Sequence, residues 1–473
     1  MKKIFLSFIL ITITVIVYAQ QITTKVDKRV ELMSLVFRLA EAEEYLNAEL
    51  PQYTQKIDSC FLPYKTHKLI KYTQFLRENY GVAYDAVMSL AVHLQIENGK
   101  VKLNLDLNKN QIDERWNQDI LPKYINLLNN FYKKSKFEDF FTANSDFYKK
   151  TEQNFKTQIT DNVNFTWFKN FFGTEMPHQL NLVASLLNGG GNYGANTESL
   201  NGKKEIFSII GCWQTDSLGI PQYSTGVVSI VAHEFNHSFV DPLIDKFYLE
   251  LQPQAEKFYS LVEKEMKALK YGSEKACLDE IFVRACEIKY DIAHRDTFQN
   301  WWQNVLLCNE KCSGFLWIDS LYSALTIYEE NRDKYPALES FMPEIVKLQN
   351  KLNPNEIYQG IEDNKAEILG TNIENNSQEV DYSLDSIVLY FDRRMSRGFN
   401  GINDSYICNT CNEHVYTGKK PKWSADGKQW TVFVKLEPDS EYSFEFPNNY
   451  FKTPDQCYRP KNTYRLHFKT KPK

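Results

Sequence analysis

The most specific chemical pattern in the sequence is carried by two histidines and a glutamate in Val231-Ala232-His233-Glu234-Phe235-Asn236-His237. The stretch reads as a helix. On a helix, residues i and i+4 lie one above the other, so His233 and His237 present two imidazoles on one face at a spacing that suits a single metal ion. Zinc is the expected metal, as one catalytic ion. Glu234 is one step round from His233, so its carboxylate can reach a water in the metal's open position without ligating the metal. The metal then lowers the water's pKa and polarises a carbonyl, while Glu234 takes the proton and passes it to the leaving amine. That is the chemistry of peptide-bond hydrolysis.

Two imidazoles do not complete such a site, which needs a third protein ligand and one position left for water. Glu280 is the candidate, in the amphipathic stretch Ala276-Cys277-Leu278-Asp279-Glu280-Ile281-Phe282-Val283-Arg284. Apolar Leu278, Ile281, Phe282 and Val283 carry its carboxylate towards the interior, where burial without a partner is costly and a metal is one such partner. The competing reading is an i, i+4 ion pair with Arg284 on a solvated face. Glu287, two turns on, is the reserve ligand; His294 and His178 read as surface or satisfied histidines. The run Gly189-Gly190-Gly191-Asn192 removes side chains, so Gly190, Gly191 and Asn192 fit either a substrate-binding edge or an ordinary turn. Tyr193, Tyr290 and Arg284 are candidates for stabilising an oxyanion.

The elements that must hold these residues are legible from periodicity. Ser224 or Thr225 caps the motif helix, Val227, Ile230, Val231 and Phe235 form its apolar stripe, and Pro242 is expected to end it. Asn181–Leu187 and Glu205–Cys212 read as strands leading towards it. From about Val26 to about Lys156 the pattern is helical, with apolar residues every three or four positions over 30–46, 67–78 and 121–134. That region fits a prodomain, a lid or a part of the catalytic fold. Helical character returns through 301–302, 316–328 and 341–352. Beyond that, Ile387, Leu389 and Phe391, then Val432, Val434 and Leu436, then Tyr442, Phe444 and Phe446, then Tyr464, Leu466 and Phe468 alternate with outward neighbours. His467 falls on the outward face. This is the pattern of a β-sandwich.

The expected organisation is a signal peptide over 1–19, a helical N-terminal part over 20–165 and a metal-binding core over 166–352. A linker over 353–364 and a sandwich over 365–473 complete an α+β chain. Its 473 residues are too many for one compact core. A net charge of −5 gives no electrostatic footprint for nucleic acid. Met1-Lys2-Lys3, the apolar run Ile4 to Val17 and the small residue Ala19 read as an export signal, with no membrane span in the mature chain. Nine cysteines in an exported chain favour disulfides, and the odd number leaves at least one unpaired. Cys408, Cys411, His414 and Cys457 form an alternative four-ligand structural zinc set. Cys277 and Cys286 fall in the helix of Glu280, and Cys308 and Cys312 are a local i, i+4 pair.

His233-Glu234-x-x-His237, with Asp241 four residues later and a glutamate on a later helix, resembles the gluzincin branch of zinc metallopeptidases. Leu278 to Ala285 and Gly189 to Gly194 are similar to an uncharacterised family of exported bacterial gluzincin-like proteins, over about residues 30 to 350. The resemblance implies a zincin-like catalytic domain in which His233, His237 and Glu280 are ligands and Glu234 is the catalytic base. Asp241 would orient an imidazole from behind, or simply end the helix. Arg284 stands where gluzincins often carry an acidic residue. The tail, with Ile387 to Met395 and Leu436 to Tyr442, is similar to bacterial Ig-like domains, which act as spacers or adhesion units. The sequence thus points to an exported zinc peptidase acting on peptides or proteins. The competing reading is a zincin-like adhesion protein without turnover, whose Ig-like module engages a surface partner.

Overall fold

The computed structural model describes residues 21–46, 49–294, 300–397 and 417–473. The signal-peptide reading of 1–19 and the readings of Cys408, Cys411 and His414 lie outside these residues. The chain forms two compact units, Met1–Phe239 and Val240–Lys473, each a mixture of helices and small sheets.

The first unit begins with strand β1 (Gln21–Lys25), followed by helices α1 (Lys28–Leu39), α2 (Pro51–Phe61), α3 (Lys68–Tyr80) and α4 (Asp85–Val92). A hairpin of β2 (Leu94–Glu97) and β3 (Lys100–Leu103) precedes α5 (Leu121–Lys134), α6 (Phe137–Ala143), α7 (Ser145–Gln158) and α8 (Phe165–Phe172). Strands β4 (Gln179–Ala184), β5 (Tyr193–Glu198), β6 (Lys204–Ile210), β7 (Gln214–Thr215) and β8 (Pro221–Gln222) lead into α9 (Val227–Ala268). The main sheet has the order β1-β4-β6-β5. β1 runs parallel to β4 with Gln21 opposite Gln179, and β4 runs parallel to β6. β5 returns antiparallel along β6, with Tyr193 opposite Ile209, and forms the edge. The N-terminal segment therefore supplies a strand to the main sheet. The β2–β3 hairpin interrupts a stretch expected to be helical.

α9 grows from a run of Val227, Val231, Ala232 and Phe235 that is buried along one stripe. Its first N–H groups, of Val227 and Val228, donate to the carbonyls of Ser224 and Thr225. Pro242 does not end it: the helix continues through Pro242 and Pro253 to Ala268. A proline inside a helix leaves one carbonyl without its N–H donor and costs about 3 kcal/mol, a loss that packing along the rest of the helix offsets. α8 supplies part of that packing within the first unit. Phe168 stacks on Phe239 at 5.9 Å and Phe172 on Phe239 at 4.6 Å, while Phe165 and Phe168 meet Phe235 at 6.0 and 5.9 Å between ring centroids. Each ring buried in this way contributes about 1.5–3 kcal/mol.

In the second unit α9 is followed by α10 (Glu274–His294), α11 (Asn300–Cys312), α12 (Ile318–Glu330), α13 (Leu338–Lys351) and α14 (Pro354–Asn364). The expected linker over 353–364 is thus helical. Asn353 caps it by accepting from the N–H groups of Asn355 and Glu356, and Pro354 takes the first turn, where its missing N–H costs nothing. Strands β9 (Ile368–Thr371), β10 (Ser377–Val380), β11 (Ser386–Phe391), β12 (Lys422–Trp423), β13 (Gln429–Phe433), β14 (Glu441–Phe446) and β15 (Tyr464–Thr470) complete the chain. They form sheets of order β12-β13-β11-β9 and β10-β15-β14. Ile387, Leu389, Phe391, Val432, Tyr442, Phe444, Phe446, Leu466 and Phe468 from both sheets share one core. His467 points outward, bonded to Ser443 at 2.7 Å and Glu441 at 2.9 Å. Among the described residues no helix is long and apolar enough to cross a membrane.

Candidate metal centre

Helical spacing places His233 and His237 together on α9, their ring centroids 5.1 Å apart and inclined by 73°. The register that brings α10 alongside is set within the second unit. Tyr248 donates to Glu274 at 2.6 Å, and Lys275 pairs with Asp245 at 2.9 Å, so α9 and α10 run antiparallel. One turn further, Asp241 lies close enough to Asp279 for its charge to act on it. One ligand atom from each of His233, His237 and Glu280 lies within 4.8 Å of the other two.

Glu280 is 5% exposed, as its apolar neighbours predict. Its Oε1 accepts from the Tyr271 hydroxyl at 2.9 Å and pairs with Arg284 Nη2 at 2.8 Å. The i, i+4 ion pair weighed as the competing reading therefore forms, but in the interior. Arg284 also donates to Glu310 at 2.9 Å and lies over the Phe315 ring at 4.8 Å. With Glu280 and Glu310 both on its guanidinium, Arg284 is committed to orienting a carboxylate, which argues against its use as an oxyanion donor. Tyr271, absent from the sequence-based candidates, is the other group that holds Glu280. It lies in the turn between two helices, where no periodicity marks it.

Glu234 is 7% exposed and lies under the edge strand. A Cβ at Gly194 would stand 2.8 Å from the Glu234 carbonyl oxygen, 3.4 Å from the His237 Cβ and 3.6 Å from Glu234 Oε2. Only glycine lets β5 pass so near the helix. Gly190, Gly191 and Asn192 build the turn that feeds this strand. A Cβ on Gly190 would stand 2.6 Å from Trp213 Nε1, and one on Gly191 2.5 Å from the Tyr193 hydroxyl. The Asn192 side chain accepts from the Gly211 N–H at 3.1 Å. Tyr193 begins β5; burial, with smaller contributions from Glu44, Asp85, Tyr84 and Glu234, raises its hydroxyl well above the usual range.

Asp241 sits with Asp245, Asp279 and Lys275 one turn beyond His237. Lys275 Nζ binds Asp279 at 2.9 Å. Burial, and then the Asp241 charge, push the Asp279 carboxyl up to about 7. Tyr290 is on α10 about 15 Å further along the helix axis than Glu280, and Glu287 about 10 Å, at 1.5 Å per residue. Among the described residues Glu287 is not in the group of converging donors. His294 Nδ1 meets the Tyr290 carbonyl at 2.7 Å, and His178 Nδ1 accepts from the Lys204 N–H at 3.1 Å. A second convergence joins Cys308, Cys312 and Cys457. Cys457, weighed above as a zinc ligand with Cys408 and Cys411, is disulfide-bonded to Cys308.

Residues 22–348 match a family described as a domain of unknown function, DUF4932. No curated protein matches the chain. Solved structures of the bacterial S-layer protein SbsC are similar at low level. Its N-terminal part is 14% identical with a TM-score of 0.18, rSbsC(31-844) 13% with 0.18, and its domains 1-6 12% with 0.16. These matches cover 52, 51 and 52% of this chain and 58, 33 and 34% of those chains. The chain thus spans less than two thirds of their length.

Proposed function

For this chain, which belongs to the DUF4932 family, we propose the function of an exported zinc-dependent peptidase of gluzincin type. The observation that carries the reading is the convergence of two imidazoles and one buried carboxylate within 4.8 Å, with Glu234 between the two histidines in sequence. Two imidazole nitrogens and a carboxylate oxygen are the donor set that suits a catalytic zinc with one position open. Bound there, zinc supplies Lewis acidity towards a peptide carbonyl and water.

The chain's own residues do the rest. His233 and His237 hold the ion from α9, and Glu280 holds it from α10, its carboxylate oriented by Arg284 and Tyr271. Glu234 accepts a proton on its carboxylate and returns it to the leaving amine. β5 is an edge strand beside Glu234, so an extended peptide can add to it by main-chain hydrogen bonds and bring its scissile bond to the carboxylate. The two-sheet module is read as an Ig-like spacer without chemistry.

The test is paired. Zinc measured by elemental analysis on mature protein purified without added metal is expected at about one equivalent. Glu234→Gln is expected to keep that zinc and lose hydrolysis of a peptide library by about 10²–10⁴-fold. Full activity in the variant would remove Glu234 from the mechanism, and an absence of zinc after reconstitution would remove the metal reading.

A further inference from the structure

Three sulfurs meet in the second unit where α11 reaches the β-sandwich. Cys308 and Cys457 form a disulfide with their Cα atoms 5.2 Å apart. The Cys312 Sγ lies 3.9 Å from the Cys457 Sγ, and all three sulfurs fall within 4.8 Å of one another. Cys308 and Cys312 are one helical turn apart on the same face of α11, so both present sulfur to Cys457, which is 3% exposed. Between them, Asn309 accepts from Lys452 Nζ at 3.0 Å, which holds this turn to the sandwich by a contact that involves no sulfur.

We propose that Cys308, Cys312 and Cys457 form a disulfide-exchange site, through which α11 is anchored to the sandwich at either of two positions one helical turn apart. The Cys312 thiolate attacks the Cys457 Sγ. The Cys457–Cys308 bond breaks as the Cys457–Cys312 bond forms, and the electron pair leaves on Cys308. The proton given up by Cys312 is matched by the one taken up at Cys308, so no oxidant or reductant is consumed. Burial raises the Cys312 thiol, with Lys365, Arg459 and Lys311 opposing. Exchange is accordingly slow unless the thiolate is drawn out.

The position of Glu310 gives the exchange a consequence. It lies on α11 between the two anchors, and its carboxylate holds Arg284, which in turn holds Glu280. Moving the anchor by a turn shifts the support of that carboxylate. This consequence rests on the zinc reading above; the exchange does not.

The experiment is non-reducing peptide mapping of the full chain after thiol alkylation in acid, applied to wild type, Cys308→Ser and Cys312→Ser. Cys312→Ser is expected to carry only the 308–457 link and Cys308→Ser the 312–457 link. Wild type held at about pH 8 to draw out the thiolate is expected to carry both. A Cys308→Ser protein with wild-type circular dichroism in which Cys312 and Cys457 are both alkylated would overturn the proposal, as would a link from Cys457 to Cys408 or Cys411. Should Cys308→Ser fail to fold, wild type decides alone: Cys312 fully alkylated after that incubation overturns the exchange. Chelator competition on the two variants separates the readings, because no zinc in either would sink the metal centre and leave the mapped links standing.

Discussion

Arg284 Nη2 lies 2.8 Å from the Glu280 carboxylate and 3.1 Å from the Tyr271 hydroxyl, while Nη1 donates to Glu310 at 2.9 Å. The guanidinium and the Tyr271 hydroxyl together orient the buried carboxylate proposed as the third ligand. A planar fork does this where a point charge cannot. Arg284→Lys keeps the charge and loses the fork. It is expected to weaken zinc binding about tenfold, at the low end of what outer partners of metal ligands contribute. Competition with a chromogenic chelator measures it, and unchanged affinity would strip Arg284 of this role.

The contact of Gly194 with the motif helix gives a prediction of a different kind. In Gly194→Ala the new Cβ would meet the Glu234 carbonyl oxygen at 2.8 Å, so strand and helix must separate. Overpacking of this sort costs about 1–3 kcal/mol. Zinc should be retained, because the new Cβ stays 3.4 Å from the His237 Cβ and reaches no donor atom of the proposed ligands, while kcat/KM on a peptide substrate should fall about 10²-fold as the edge strand leaves its place beside Glu234. Retained zinc with full kcat/KM would show that β5 does not position substrate.

Wherever one element's own period carried the information, the sequence was legible. The i, i+4 histidines, the burial of Glu280 among Leu278, Ile281, Phe282 and Val283, and the inward faces of β11, β13, β14 and β15 all follow from 3.6- and 2-residue repeats. Pairings across the chain were not legible. Nothing local marks Gln21 as the partner of Gln179, Tyr271 as a support of Glu280, or Cys457 as the partner of Cys308. Proline misled in both directions for one reason: local chemistry disfavours helix at Pro242, and Pro354 was taken for a linker. Packing sustains the helix through the first, and the second is a first-turn residue that a helix accepts.

Pro242 makes that argument measurable. Since α9 runs through it, Pro242→Ala restores one backbone donor and a strong helix former at an interior position. The change is expected to stabilise the protein by up to about 3 kcal/mol. Zinc content should stay the same, since His237 lies on the preceding turn. A lower thermal midpoint in the variant would mean that a bend at Pro242 is needed to align α9 with α10.

Glu31 supplies a prediction about pH in the first unit. It is 1% exposed on α1, accepts from the Leu186 N–H at 2.8 Å and from the Tyr53 hydroxyl at 3.1 Å, and so holds the segment just before the Gly189–Asn192 turn. Burial pushes its carboxyl from 4.5 up to about 7, against the pull of those two donors. The native state therefore keeps a proton that the unfolded chain loses near 4.5. The stabilisation linked to that proton is present in full below 4.5 and is lost as pH rises through about 7. At about 1.4 kcal/mol per pKa unit, the loss is on the order of 3 kcal/mol. Glu31→Gln keeps an acceptor for Leu186 and removes the charge. It is expected to leave stability near pH 4.5 little changed, to raise it at pH 8 and to flatten the profile between. Thermal unfolding across that range checks it, and a variant whose midpoint falls with pH as steeply as wild type would place the titrating group elsewhere.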